Sequence, residues 1–306
     1  MNPSAALARS QTYILNPIAG RRGQRRREAL IECLRRAAPD AEILQTGARG
    51  EAEALARARR EDPGRVVIAV GGDGTVHEVG SGLIGAAAAF GVLPTGSGND
   101  FASMIATPAD ADDAPAFFAS RPVRHCDAGL VEWVDDRGRS GRAAFINSLG
   151  LGIEGAIAGR AERLSRIPGF LRYLLAVSLE LPGYRPPRLK LEQDGERIEQ
   201  RQLLLSVGNG RRAGGGFLLH PDARIDDGWL ELCRADVLPL HRLLRILPSV
   251  LSGRHLRFDG IHVGRCRSLR VSSDPPTPVH ADGEMLSRAA VDVTVSVTPS
   301  GLRLVG

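Results

Sequence analysis

Over roughly the first 120 residues, short apolar runs alternate with amphipathic segments. "TYILNP" (12–17), "AEILQT" (41–46), "RVVIAV" (65–70) and "AFGVLP" (89–94) have the length and the β-branched content of strands. Between them, "GQRRREALIECLRRAAP" carries Leu30, Ile31, Leu34 and Ala38 at helical spacing with arginines opposite, and "RGEAEALARARRE" is built of strong helix formers. A further helix is expected after "RVVIAV" and another after the loop "TGSGND" (95–100). Strands that alternate with helices and lack hairpin turns predict a parallel sheet covered on both faces, an α/β domain over residues 1–122.

Past the Pro/Asp-rich passage Thr107 to Pro122 the period changes to two. "VRHCDAGLVEWV", "GRAAFINSLG", "RLKLEQ", "RIEQRQLLLSVGN", "WLELCRA", "SLRVSS" and "AVDVTVSVT" read as strands, with turns such as "DDRG" and "QDGE" between several of them. This predicts an antiparallel β-sandwich or barrel over 123–298, interrupted by helices at 169–181 and 239–253, with the tail from about 299 to 306 free to return to the first domain.

Composition narrows the partners. The chain has 40 basic and 35 acidic residues among 306, a net charge of +5. That suits an anionic substrate or membrane surface and falls short of what nucleic acid demands, and an aromatic content of 4% offers little to stack on bases. Lys190 is the sole lysine, so a Walker loop and a protein-kinase strand lysine are both excluded, and any phosphate must be held by backbone N–H groups, arginine or a metal. The four cysteines, 33, 126, 233 and 266, are too scattered for a zinc site or disulfide framework. With no secretory leader and no apolar run long enough to span a bilayer, the expectation is a cytoplasmic protein.

Glycine clusters carry the chemistry. "VVIAVGGDGTVHEV" ends a buried strand in Gly71, Gly72, Asp73, Gly74 and Thr75, and "LPTGSGNDFA" ends the next with Gly96, Ser97, Gly98, Asn99 and Asp100. Beyond the C-terminal ends of parallel strands, helix N-termini present N–H groups to anions, and glycine lets the backbone approach a phosphate. Asp73 repels phosphate and suits magnesium or a sugar hydroxyl instead, while Thr75 suits a cap or a phosphate oxygen.

"NPIAG", "GGDGTVHEV" and "LPTGSGNDFA", in that order, resemble the catalytic domain of the diacylglycerol kinase family, which also holds sphingosine and ceramide kinases. NAD kinases share GGDGT, whereas LPxGxGNDFA is far more specific. "NSLGLGIEGAI" (147–157), "VGNGRRAGGGFLLHPDARIDDGWLEL" (207–232) and "HADGE" (280–284) resemble the family's later blocks, most closely those of the smaller bacterial lipid kinases. The resemblance implies a nucleotide-binding α/β domain followed by a larger β-sandwich, and an ATP- and Mg2+-dependent kinase acting on a lipid hydroxyl. A soluble metabolite kinase of the NAD kinase type, or a kinase of sphingoid or ceramide acceptors, is the alternative.

By that resemblance ATP is held by Asn16, Pro17 and Gly20 of "NPIAG", by Thr46, by Gly71, Gly72, Asp73, Gly74, Thr75, Val76 and His77, and by Ser97 and Asn99. Thr46 reads equally well as a helix cap, and Arg21 and Arg22 either reach phosphates or stay solvated. The family's magnesium site maps to the side chain of Asp227 with the carbonyls of Arg224 and Trp229; a plain Asp-Gly turn is the other reading. Glu284 takes the general-base role, with Asp282 a close second and Asp73 completing the catalytic set. On an extended strand, spacing of two would place Asp282 and Glu284 on one face; read alone, the segment is an ordinary Asp-Gly hairpin turn with surface charges, and only the company of the other blocks reverses that. The implied partners are ATP and a lipid substrate at the inner membrane surface, with homodimerisation open. "RLSRIPGFLRYLLAVSLELPGYRPPR" and "PLHRLLRILPSVL" each read as a core helix with solvated arginines or as a basic amphipathic contact with an anionic interface, the first segment being the favoured contact.

Overall fold

A computed structural model describes residues 9–16, 24–164, 167, 169–193 and 195–306. Pro17, Gly20, Arg21 and Arg22 therefore lie outside the described residues. The chain forms two compact units, residues 1–126 with 300–306, and residues 127–299.

Unit 1 is built from β1 (Ser10–Leu15), α1 (Gln24–Ala37), β2 (Glu42–Gln45), α2 (Glu51–Arg57), β3 (Arg65–Gly71), α3 (Asp73–Leu83), β4 (Ala89–Pro94) and α4 (Ala114–Ser120). All strand pairings in the order β2, β1, β3, β4 are parallel, with Tyr13 opposite Ile68 and Ile68 opposite Gly91. Strands β1, β3 and β4 are buried along nearly their whole length, as doubly covered parallel strands must be, while the edge strand β2 is only half-buried. Tyr13, Leu15, Leu34, Val66, Ile68, Leu93 and Phe118 form the core on one side. Leu304 pairs with Phe90 in parallel, Gly85 N–H donates to Gly301 O, and Val305 is buried in the same core. The helix expected after "TGSGND" is a single 3-10 turn, Ala102–Met104. Ile105 is extended, and Pro108 pushes Thr107 out of helical space, so the turn cannot propagate.

Most of unit 2 is antiparallel. It takes in most of β5 (Val123–Asp135), then β6 (Ser140–Phe145), β7 (Ser148–Gly152), α5 (Ile153–Arg163), α6 (Gly169–Glu180), β8 (Arg188–Gln193), β9 (Glu196–Gly208), β10 (Leu230–Asp236), α7 (Leu240–Val250), β11 (Ile261–Cys266), β12 (Ser268–Ala281) and the greater part of β13 (Glu284–Val305). The strand order is β11, β10, β9, β7, β12, β13, with β8 pairing both β9 and β12 and β5 pairing β6. Alternate residues, among them Leu189, Leu191, Leu205, Val207, Leu269, Val271, Val293 and Val295, fill its apolar core. The strand expected over "GRAAFINSLG" breaks at Ile146 and Asn147, whose N–H groups turn to a side chain described below. Helix α5 and strand β11 were not legible: the glycines at 152, 155 and 159 and the lone exposed Val263 blur both periods.

Candidate active site

Strand β3 runs out at Gly71 and α3 begins at Asp73, with only the extended Gly72 between. A Cβ on Gly71 would lie 2.4 Å from the Thr75 hydroxyl, and one on Gly96 would lie 2.4 Å from the Gly72 Cα, so the two glycine turns meet backbone to backbone. Asp73 locks them together. Its Oδ2 accepts the Asn99 N–H at 2.9 Å and its Oδ1 the Asp100 N–H at 2.7 Å. Asn99 sits at φ +56 and donates its side-chain amide to Gly96 O at 3.0 Å, while Thr95 N–H donates to Gly71 O. Asp73 is thus a strap between turns, a use of the carboxylate that its sequence context did not reveal. No side chain caps α3, and the Thr75 hydroxyl and Asn99 Oδ1 are buried without a hydrogen-bond partner. An uncapped helix N-terminus, glycine backbone with no room for Cβ and unsatisfied polar atoms make a cradle that fits phosphate groups.

Gly74 and Ser97 are exposed around this cradle, His77 and Asn16 are half-buried and Val76 is buried. Thr46 is buried, its hydroxyl and N–H both facing Leu15 O, so it ties β2 to β1. The cap reading for Thr46 fails, because the N-cap of α2 is Gly50 at φ +81. That helix start is instead met by Glu78 of α3, which accepts the N–H groups of Gly50 and Ala52 at 2.9 and 3.1 Å.

In unit 2, Asp282 and Glu284 do not share an extended strand. Asp282 (φ +50) and Gly283 (φ +87) are the two-residue turn joining β12 to β13, and Glu284 opens β13 opposite Ala281. Asp-Gly tolerates the paired left-handed conformations that a tight hairpin of this twist requires, which is why the turn forms here. Asp282 is held by three amides: Oδ2 accepts Ile146 N–H at 2.9 Å, and Oδ1 accepts Asn147 and Ser148 N–H at 3.0 and 2.8 Å. Its own N–H returns to Ser148 O at 2.7 Å. Beneath the turn, His280 Nδ1 accepts the Gly283 N–H, which places the neutral ring's proton on Nε2, 3.4 Å from Glu154 Oε1. His280 and Glu154 are nearly sealed from solvent, and neither stood out in the sequence as a pair because 126 residues separate them.

The "DDGW" segment is a turn whose Gly228 N–H donates to buried Asp127 at 2.7 Å. Asp227 Oδ1 accepts Trp229 N–H at 3.1 Å, and its Oδ2 is 3.1 Å from the Arg265 guanidinium, which also donates to Glu231 at 2.6 Å. The two carboxylates hold the Arg265 pKa above its ordinary value, Glu231 more than Asp227. A divalent ion on Asp227 would meet that guanidinium on the same oxygen, so the residues fit such an ion poorly and no chemistry is assigned to one there. Among the described residues no group of three or more His, Cys, Asp or Glu side chains is gathered as for a metal.

Residues 11–131 match the diacylglycerol kinase catalytic domain, and residues 147–306 match the YegS C-terminal NAD kinase beta sandwich-like domain. A "Diacylglycerol kinase" of Mycobacterium tuberculosis is 30% identical over 240 residues, covering 78% of this chain and 75% of that protein. The chain belongs to the diacylglycerol kinase family. Within that family it is also similar to a "Probable lipid kinase YegS-like" of Chromohalobacter salexigens, 34% identical over 77% of this chain and 74% of the other. A diacylglycerol kinase structure from Bacillus anthracis shares the fold at a TM-score of 0.66, 19% identity and coverage of 97% of this chain and 96% of that one. Yeast NADH kinase with NADH shares the fold more distantly, at 0.55 and 13% identity over 98% and 84% of the two chains. The expected α/β unit and antiparallel sandwich agree with both.

Proposed function

We propose that this member of the diacylglycerol kinase family transfers the γ-phosphoryl group of ATP to a hydroxyl of a lipid such as diacylglycerol. The observation that carries the reading is the cradle of unit 1, where Gly72 and Gly96 abut with no space for a Cβ and α3 begins uncapped. Phosphoryl transfer passes through a loose transition state, so positioning and charge stabilisation matter more than a strong base. Magnesium arriving with the nucleotide would neutralise phosphate charge.

The chain's own residues do the remainder. N–H groups at the start of α3 and those of Gly96, Ser97 and Gly98 hold phosphate oxygens, with the Thr75 hydroxyl as a further donor. Asp73 keeps the two turns in register. In unit 2, Glu284 orients the acceptor hydroxyl and receives its proton late, while Asp282, saturated by three amides, holds the turn that positions Glu284. This division of labour assigns the base to Glu284. A cytoplasmic enzyme working at the inner membrane face is the setting that such an acceptor requires.

Purified protein incubated with γ-labelled ATP, magnesium and mixed micelles, each holding one candidate lipid, tests the reading. Label in an organic-extractable product is the expected result. Label only in a water-soluble acceptor without micelles would replace it with the NAD kinase type of activity, and nucleotide binding without turnover would replace it with a binding role.

A further inference from the structure

Ten large apolar side chains are exposed among the described residues, and eight fall in two segments of unit 2. Helix α6 turns Leu171, Leu174, Leu175 and Leu179 outward, an i, i+3, i+4, i+8 stripe, and buries Ala176 and Val177. Around α7, Val237, Leu240, Leu244 and Leu251 are exposed while Ile246 and Val250 are buried. Both helices reach one apolar cluster, in which Ile246, Val250 and Leu247 of α7 and Tyr173 of α6 pack with Phe217, while α6 otherwise packs against α5. Two neighbouring helices thus each carry an apolar outer face with nothing of this unit over it.

Charge separates the candidate occupants. From Val237 to Phe258 there is no acidic residue, and Arg242, Arg245, Arg254 and Arg257 are all exposed there. Between Glu162 and Glu180 there is likewise no acid. Those two glutamates are already paired, with Arg288 and Arg160, and Asp236 at the edge of α7 is paired with His262 at 2.9 Å. A second copy would set arginine against arginine, whereas an anionic bilayer offers hydrocarbon for the leucines and phosphate for the guanidinium groups.

We propose that α7, with the outward stripe of α6 beside the shared cluster, seats the protein on an anionic lipid bilayer. The inference rests on the lipid-kinase reading for its purpose, not for its geometry. Arginine heads ring the contact and leucines enter the acyl boundary, so attachment is reversible, peripheral and weakened by salt.

The test sediments the full chain with phosphatidylcholine vesicles, with and without phosphatidylglycerol, and in parallel measures transfer to a dispersed short-chain diacylglycerol. Binding is expected only to the phosphatidylglycerol vesicles and to fall as salt rises. Each arginine near the surface contributes about fivefold, so Arg242→Gln with Arg245→Gln lowers the affinity about 25-fold. Leu240→Ser with Leu244→Ser lowers it about tenfold or more, and both pairs leave transfer to the dispersed acceptor unchanged. Equal binding to neutral vesicles, no binding at all, or variants that bind like the wild type would overturn the proposal. A leucine variant that turns a dimer into a monomer with vesicle binding intact would give the face to a second copy. Vesicle binding by these residues without phosphorylation of any lipid would sink the kinase reading alone, and transfer without vesicle binding would sink the docking alone.

Discussion

Asp282 offers the sharpest separation between a chemical and an architectural role. Its carboxylate accepts hydrogen bonds from three buried residues, Ile146, Asn147 and Ser148, at 2.9, 3.0 and 2.8 Å. A hydrogen bond to a charged group contributes about 1.5–3 kcal/mol, and the three share one carboxylate, so Asp282→Ala should destabilise unit 2 by about 3–6 kcal/mol. In Asp282→Asn the amide oxygen keeps Asn147 and Ser148, but its NH2 group then confronts the Ile146 N–H, donor against donor, for a loss of about 2 kcal/mol. Against a total stability on the order of 5–15 kcal/mol, both losses are measurable. Trp133 and Trp229 both lie in unit 2, so urea denaturation followed by tryptophan fluorescence reads the right unit. The Asn variant, corrected for its folded fraction, should retain phosphoryl transfer because Glu284 carries the proton. Loss of less than about 1 kcal/mol in both variants would refute the reasoning. Abolished transfer at unchanged stability would put Asp282 in the chemistry instead.

Asp73→Asn should loosen the two glycine turns by the same logic, weakening nucleotide affinity about tenfold or more by calorimetry while unit 2 unfolds unchanged; wild-type affinity would show that the strap is dispensable. Gly96→Ala places a methyl group 2.4 Å from the Gly72 Cα, and at an overpacking cost of about 1–3 kcal/mol should impair nucleotide binding more than it lowers Tm. Burial pushes the His220 imidazole down to about 4, so the folded state refuses a proton that the unfolded chain takes up near 6.5. The stability this represents is complete above that pH and is lost as the pH falls towards 4, about 3 kcal/mol in all; His220→Gln should flatten the urea profile over that window, and an unaltered slope would dismiss the ring as its source. Finally, Tm of the wild type should not respond to magnesium or chelator through Asp227, whereas Arg265→Ala should lose about 0.5–1 kcal/mol, part of it restored by magnesium. A magnesium-stabilised wild type would mean that the guanidinium yields to the ion.

The sequence was most legible where function and local geometry coincide. A buried strand running into Gly71 and Gly72 announces a parallel-sheet turn, because only an unencumbered backbone passes so close to its neighbour. Alternation in β8 and the first residues of β12 was visible since one face there is buried and the other is not. What stayed hidden depends on partners distant along the chain. Asp282 meets its amides 134 to 136 residues away, Glu78 caps a helix 26 to 28 residues before it, and Arg265 finds Asp227 across 38 residues. The Asp282–Gly283 turn is a different case. Read alone, the segment favours an Asp-Gly hairpin, which is what forms; it is the family resemblance of the other blocks that draws the reading towards an acidic pair on a strand.

The return of residues 300–306 to unit 1 has a consequence for how the chain must be made. Phe90 meets Leu304, and Val305 completes a core otherwise assembled from the first 123 residues. During synthesis the outer edge of β4 therefore waits, unpaired, until the whole intervening sandwich has left the ribosome, and a gene fragment encoding only the leading portion would yield a sheet with an adhesive flank.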